Sequence, residues 1–141
     1  MSFLLDTNVV SEPTRRQPEP RVIDWLAAQT DETLFLSALK LGELRRGILL
    51  LDEGRKRRGL LRWLEEEIEP GFGGRVVAVD APVMRAWAEL QARAQHGGRA
   101  LPVMDGLFAA SALAHDFTLV TRNASDFAAT GVKLLNPWIV E

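Results

Sequence analysis

The chain contains no cysteine, which excludes a disulfide framework, a thiolate nucleophile and any cysteine-ligated zinc or iron–sulfur centre. No apolar run approaches the roughly 20 residues that a membrane span needs, because Lys, Arg, Asp or Glu interrupts every candidate. A surplus of one charge is also missing: 17 Lys and Arg oppose 19 Asp and Glu, for a formal net charge of -2. A nucleic-acid or membrane partner is therefore not announced by bulk charge and would have to meet a local patch. No GxSxG turn, HExxH pair, GxGxxG or GxxxxGK[ST] is present. The two histidines, His96 and His115, stand at helix ends, where a cation complements the dipole. A serine hydrolase, a zincin and a Gly-rich nucleotide loop thus fail on inventory. The opening MSFLLDTNVVSEP has no basic n-region and an apolar stretch too short for a signal-peptide core, so the chain reads as cytosolic.

What remains is 141 residues, 47% hydrophobic, a length that fits one domain over 1–141 with its own core. Phe3 to Leu5, Leu34 to Leu36, Val76 to Val79, Thr118 to Thr121 and Val132 to Leu135 are short apolar runs of the kind buried in parallel sheets. Helical patterns separate them. Pro18 and Pro20 open one carrying Val22, Ile23 and Leu26, and Ser37 caps one through Leu51 with Leu41, Leu44, Ile48 and Leu51 on its apolar side. Gly54 and Gly59 bracket a basic run, followed by a stripe of Leu60, Leu61, Leu64 and Ile68 that Pro70 ends before a loop at Gly71 to Gly74. Pro82 starts a helix that His96-Gly97-Gly98 stops, and another, rich in small residues, follows Pro102. This alternation predicts an α/β domain, a three-layer α/β/α arrangement around a short, mainly parallel sheet. Ligands in such folds bind beyond the carboxyl ends of the strands, at the switch point of the strand order.

Four acidic residues fall where that rule directs attention. Asp6 follows the first strand, Glu43 lies in the helix after the second, Asp105 opens its helix, and Asp126 follows TLVTRN. Each has an ordinary structural role as well: a strand end, a helix-dipole partner or a turn cap. Glu43 is the exception, since it borders the apolar side of its helix and a near-buried carboxylate without a partner is costly. Several carboxylates in one pocket repel at pH 7 and must either stay protonated or bind a hard divalent cation. With no His or Cys contribution, Mg²⁺ or Mn²⁺ is the natural occupant and phosphodiester hydrolysis the natural use.

DTNVVSEP, LGELRRG, MDGLFAASALAHD and LVTRNASDF, in that order and with a terminal NPW, resemble the PIN domain, and most closely its VapC/FitB-type bacterial toxin nucleases. The resemblance spans essentially the whole chain. It implies a PIN-like fold and a metal-dependent ribonuclease, a hydrolase whose acidic quartet holds Mg²⁺ or Mn²⁺. Asp6, Glu43 and Asp105 match three of its positions. The fourth lies in TRNASDF, where many relatives carry an aspartate at the position of Asn123 and this chain offers Asp126 three residues later. Thr7, Asn8, Thr121 and Asn123 are implied as supporting hydrogen-bonding groups. Metal-activated water would attack phosphorus in line and leave a 5′-phosphate. The basic clusters available for the RNA backbone are Arg15, Arg16, Lys40, Arg45, Arg46 and the run Arg55 to Arg58. Arg45 and Arg46, beside Glu43, are the substrate-binding candidates, whereas the later run can pair along a helix with the EEEIE that follows. A cognate antitoxin and a homodimer are implied as partners, with DNA engaged only indirectly through the antitoxin complex. Trp25, Leu49, Leu50 and Trp63 are apolar residues in excess of a single core stripe. The alternatives are a non-catalytic PIN-like nucleic-acid-binding module and a receiver-type Mg²⁺-binding signalling domain.

Overall fold

The computed structural model describes residues 1–139. Among them, strands β1 (Phe3–Leu5), β2 (Leu34–Ser37), β3 (Val76–Val77), β4 (Thr118–Val120) and β5 (Lys133–Leu135) form one sheet in the order β3-β2-β1-β4-β5. Every adjacent pair is parallel, with Phe3 opposite Leu34 and Thr118, and Leu5 opposite Leu36 and Val120. Seven α-helices connect and cover the strands: α1 (Thr7–Ser11), α2 (Pro20–Ala28), α3 (Ala38–Leu49), α4 (Arg55–Trp63), α5 (Glu69–Phe72), α6 (Ala81–His96) and α7 (Val103–His115).

Side chains alternate across a strand, so the continuous apolar runs must feed two cores. Leu4 and Leu119 pack with Leu90, Phe108, Ala109 and Ala112 under α6 and α7. Phe3, Leu5 and Val120 pack on the opposite face with Val9, Val10 and Val22 from α1 and α2, and with Leu41 and Leu44 of α3. Those two clusters are the inner surfaces of a three-layer sandwich. Leu4, Leu5, Leu36 and Leu119 are almost fully excluded from solvent, each stabilising the fold by roughly 1.5–3 kcal/mol. Helix α7 comes close to α6 because Gly106 faces Trp87, where an added Cβ would lie 3.3 Å from the indole Nε1.

The expected elements appear with several corrections. The basic run belongs to α4 from Arg55 onward rather than preceding the helix. Pro70 does not end the following helix: a π turn at Leu64–Ile68 lets the Glu69 amide donate to the Leu64 carbonyl, and Pro70 sits in the first turn of α5. The wider turn removes the clash that a proline ring makes with an ordinary helical carbonyl. Gly71 to Gly74 is consequently not a free loop but the end of α5 and a 3₁₀ turn at Gly73–Arg75. Strand β3 stops at Val77 rather than Val79, and Asp80 caps α6 by accepting from the Val83 amide at 3.2 Å. A further helix, α1, fills DTNVVS, where no helix was expected. Trp25 and Trp63 are not surplus, since both pack against the second core, whereas Leu49 and Leu50 remain 45% and 73% exposed.

Strand order also disposes of one alternative. Receiver domains follow the order 2-1-3-4-5, and the order here is 3-2-1-4-5.

Candidate active site

The strand order reverses between β1 and β4, so the cleft beyond their carboxyl ends is the switch point. Asp6 leaves β1 at that point, its backbone amide donating to the Val120 carbonyl of β4 at 2.9 Å. Its side chain is 7% exposed and both oxygens are engaged. Oδ1 accepts from the Thr7 amide at 2.7 Å and capped α1 begins there, with the Thr7 hydroxyl at 3.4 Å. Oδ2 accepts from the Thr121 hydroxyl at 2.7 Å. Thr121 is fully buried, and its Oγ1 in turn accepts from the Asn123 amide at 3.0 Å. Asn8 braces the same loop, accepting from the Arg122 amide at 3.4 Å. Asp6 is therefore a carboxylate held in one orientation by groups from two strand ends.

Glu43 enters from α3, whose start is fixed by Ser37, a buried N-cap accepting from the Leu39 amide at 3.1 Å. Between Glu43 and Asp6 stands Lys40. Its Nζ lies 3.1 Å from Glu43 Oε2 and 3.3 Å from Asp6 Oδ1, with 4.3 Å to the centroid of the Phe108 ring. Lys40 is only 5% exposed. It is thus committed to the acidic cluster and does not present a free cation to a substrate backbone, as the sequence suggested.

Asp105 opens α7 at the same cleft. Burial pushes its carboxyl above the ordinary 3.8, Lys40 pulls it down, and the charges of Asp126, Asp6 and Glu43 push it up. Asp105 thus feels the charges of the other three expected carboxylates, although of the three only Asp126 lines the same groove. Asp126 is exposed, in the first turn of a 3₁₀ segment at Ala124–Thr130. Asn123, just before it, is exposed too and reaches the site through its backbone amide. Asp105 and Asp126 share an open groove of about 610 Å³ with Arg93 and Arg99, two arginines the sequence reading missed. Their signal was placement on either side of Gly97-Gly98, directly before the Asp105 helix.

Arg45 is taken up otherwise. Its guanidinium lies 3.7 Å from Glu65 and 3.2 Å from Glu69, tying α3 to the π turn and α5. The expected pairing of residues 55–58 with the EEEIE stretch is accordingly replaced, and Arg57 pairs with Glu53 at 3.4 Å instead. Arg46 is exposed and makes no ion pair among the described residues.

The donor set suits a hard divalent ion in its chemistry. All the groups are oxygens, Asp6 Oδ2 keeps a lone pair beyond its bond to Thr121, and Asp105 resists ionising where Lys40 is the cation that faces it. Among the described residues no three His, Cys, Asp or Glu side chains stand at mutual ligating distance, and Lys40 fills the space between two of them.

Comparison with known proteins places these features in a wider set. The family model described as PIN domain matches residues 3–133. Over 136 residues the chain is 44% identical to the plasmid stability protein StbB of Pseudomonas syringae pv. tomato, covering 96% of this chain and 98% of that protein. It is 42% identical to toxin FitB of Neisseria gonorrhoeae, with coverage of 96% and 98%. It is 41% identical to VapC ribonuclease Y4jK of Sinorhizobium fredii, with coverage of 96% and 97%. The solved structure of FitAB bound to an IR36 DNA fragment superposes with a TM-score of 0.93 at 40% identity, covering 99% of this chain and 97% of that one.

Proposed function

This chain belongs to the PIN domain family, and from that premise we propose that it is an endoribonuclease, the toxin of a toxin–antitoxin pair, that hydrolyses RNA phosphodiester bonds with Mg²⁺ or Mn²⁺. The observation that carries the reading is the buried Asp6 carboxylate, braced by Thr7 and Thr121 at the switch point and joined through Lys40 to Glu43, with the charges of Asp126, Asp6 and Glu43 bearing on Asp105. Gathering carboxylates costs stability, and a site that holds them beside buried, hydrogen-bonded supports is organised for a cation. When bound, the ion would polarise a phosphoryl oxygen and make a water molecule more acidic.

Asp6 and Asp105 are the residues to hold that ion, and Glu43 and Asp126 the residues to complete its shell or orient water. Thr7 and Thr121 keep the Asp6 carboxylate aimed into the cleft, as outer groups aim ligating carboxylates elsewhere. Asn8 and Asn123 hold the loop that carries Thr121. Arg93 and Arg99, which line the groove with Asp105 and Asp126, are the arginines we assign to the RNA backbone, together with the exposed Arg46 of α3. In-line attack by water on phosphorus would break the bond to the 3′ oxygen, leaving a 5′-phosphate on one product and a 3′-hydroxyl on the other.

Relatives named as toxin and VapC ribonuclease, together with the FitAB assembly on DNA, support a cognate antitoxin as partner and DNA contact through that complex. The exposed Leu49 and Leu50 at the end of α3 support a homodimer face. Among the described residues no helix is long and apolar enough to cross a membrane, and we assign the pair to the cytoplasm. The test is incubation of purified protein with total RNA and Mg²⁺ or Mn²⁺, alongside EDTA and an Asp6→Asn variant. Cleavage lost in both controls is expected. Cleavage that survives EDTA or the substitution overturns the reading.

A further inference from the structure

Lys40 is the residue of the pocket that the proposed chemistry does not require. It is the third residue of α3, a position where the helix dipole disfavours a cation, and burying an ammonium is costly besides. Something must offset both penalties. The offset is visible: one carboxylate oxygen from Asp6, one from Glu43, and the face of the Phe108 ring. A lysine so placed is more than one arm of a surface ion pair, because its side chain is 6% exposed and both acidic partners belong to the quartet.

Sites that transfer or hydrolyse phosphodiesters often use two divalent ions about 3.5–4 Å apart, one on each side of the reacting phosphorus. In this pocket the space between Asp6 and Glu43 is already held by a positive charge. Asp6 Oδ1 is saturated, accepting from the Thr7 amide as well as facing the ammonium. The acceptors left to a divalent ion are the free lone pair of Asp6 Oδ2, the second oxygen of Glu43, and the carboxylates of Asp105 and Asp126. We propose that the Lys40 ammonium takes the place of one divalent ion, so that the pocket binds one ion fewer than its carboxylates could otherwise hold. The inference rests on the metal-dependent reading above. It adds that one of the two positive charges that would face the phosphate is tethered to the chain and independent of metal concentration.

The experiment counts ions rather than activity. Mn²⁺ binding to the full chain is measured by calorimetry and by electron paramagnetic resonance of free Mn²⁺, for wild type, Lys40→Met, Lys40→Gln and Lys40→Arg, with folding checked by circular dichroism. Expected are one ion in wild type and in Lys40→Arg, and two in whichever of the Met and Gln variants folds. A structural role alone would change stability and leave the count at one. Equal counts in wild type and a folded neutral variant overturn the inference, as does a count of two in wild type itself. No ion in wild type but one in the neutral variants would support the displacement by Lys40 while overturning the metal-dependent nuclease reading, so the two failures are distinguishable.

Discussion

Replacing Thr121 by valine removes one hydroxyl and keeps the volume and the β-branched shape that suit the end of β4. The hydroxyl is fully buried, donates to Asp6 Oδ2 at 2.7 Å and accepts from the Asn123 amide at 3.0 Å. A hydrogen bond to a charged group contributes roughly 1.5–3 kcal/mol, and the buried acceptor left behind cannot turn to water. The Asn123 amide, on an exposed residue, finds water and adds little. The substitution should therefore cost about 2 kcal/mol, equivalent to about 6 °C in Tm for a chain of this size. A urea titration of wild type, Thr121→Val, Asp6→Ala and the double variant isolates the pair. The cycle should return a coupling of about 1.5 kcal/mol, because either single change already breaks the bond. Cleavage by Thr121→Val should fall about 10- to 100-fold, the usual consequence of freeing a carboxylate ligand from its support. A Thr121→Val variant within about 0.5 kcal/mol of wild type, or a coupling near zero, would refute the claim that Asp6 is held in place by this bond.

Three further expectations follow from the same geometry. Burial holds the folded Asp105 carboxyl above its ordinary 3.8, so its contribution to stability is full below that pH and is lost as pH rises through the raised folded value. In chelator, Asp105→Asn should therefore resist urea better than wild type at pH 7, with the gap narrowing toward pH 4; a variant less stable than wild type at pH 7 would contradict the shift. Ser37→Ala removes the buried cap of α3 and should cost about 1 kcal/mol in the same titration, whereas no loss would show that α3 starts elsewhere. Leu50→Glu should leave the urea midpoint within about 0.5 kcal/mol of wild type, since the residue is 73% exposed. It should also shift the sedimentation profile of the proposed homodimer toward monomer, and an unchanged profile would remove this face from that proposal.

The sheet was legible because buried parallel strands are continuous apolar runs: FLL, LFL and TLV stand out in any window. The acidic positions were legible for a related reason, since Asp6, Asp105 and Asp126 each follow a strand end or open a helix, as Pro102 and the TLVTRN run announce. Helix α1 was hidden because TNVVS is short and β-branched, and its stability comes from the Asp6 cap and from burial of Val9 and Val10. The run through Pro70 was hidden because a π turn has no propensity signature and depends on the helix register. Pairing of Arg45 with Glu65 and Glu69 joins residues about 20 positions apart on different helices, which local charge patterning cannot see. Lys40 did leave a trace: a cation in the first turn of a capped helix, three residues before Glu43, opposes the dipole and so calls for an acidic partner. Read as one more member of a basic face, it lost that meaning.

The proposed divalent-cation site for RNA hydrolysis consists of Asp6 and Asp105 with Glu43 and Asp126. Anomalous diffraction from crystals soaked in Mn²⁺ tests it most directly. A peak is expected in the cleft beyond β1 and β4, with oxygens of Asp6 and Asp105 at about 2.1 Å and the Lys40 ammonium still seated against Glu43. An empty cleft at saturating Mn²⁺, or a peak bound by neither aspartate, would contradict it.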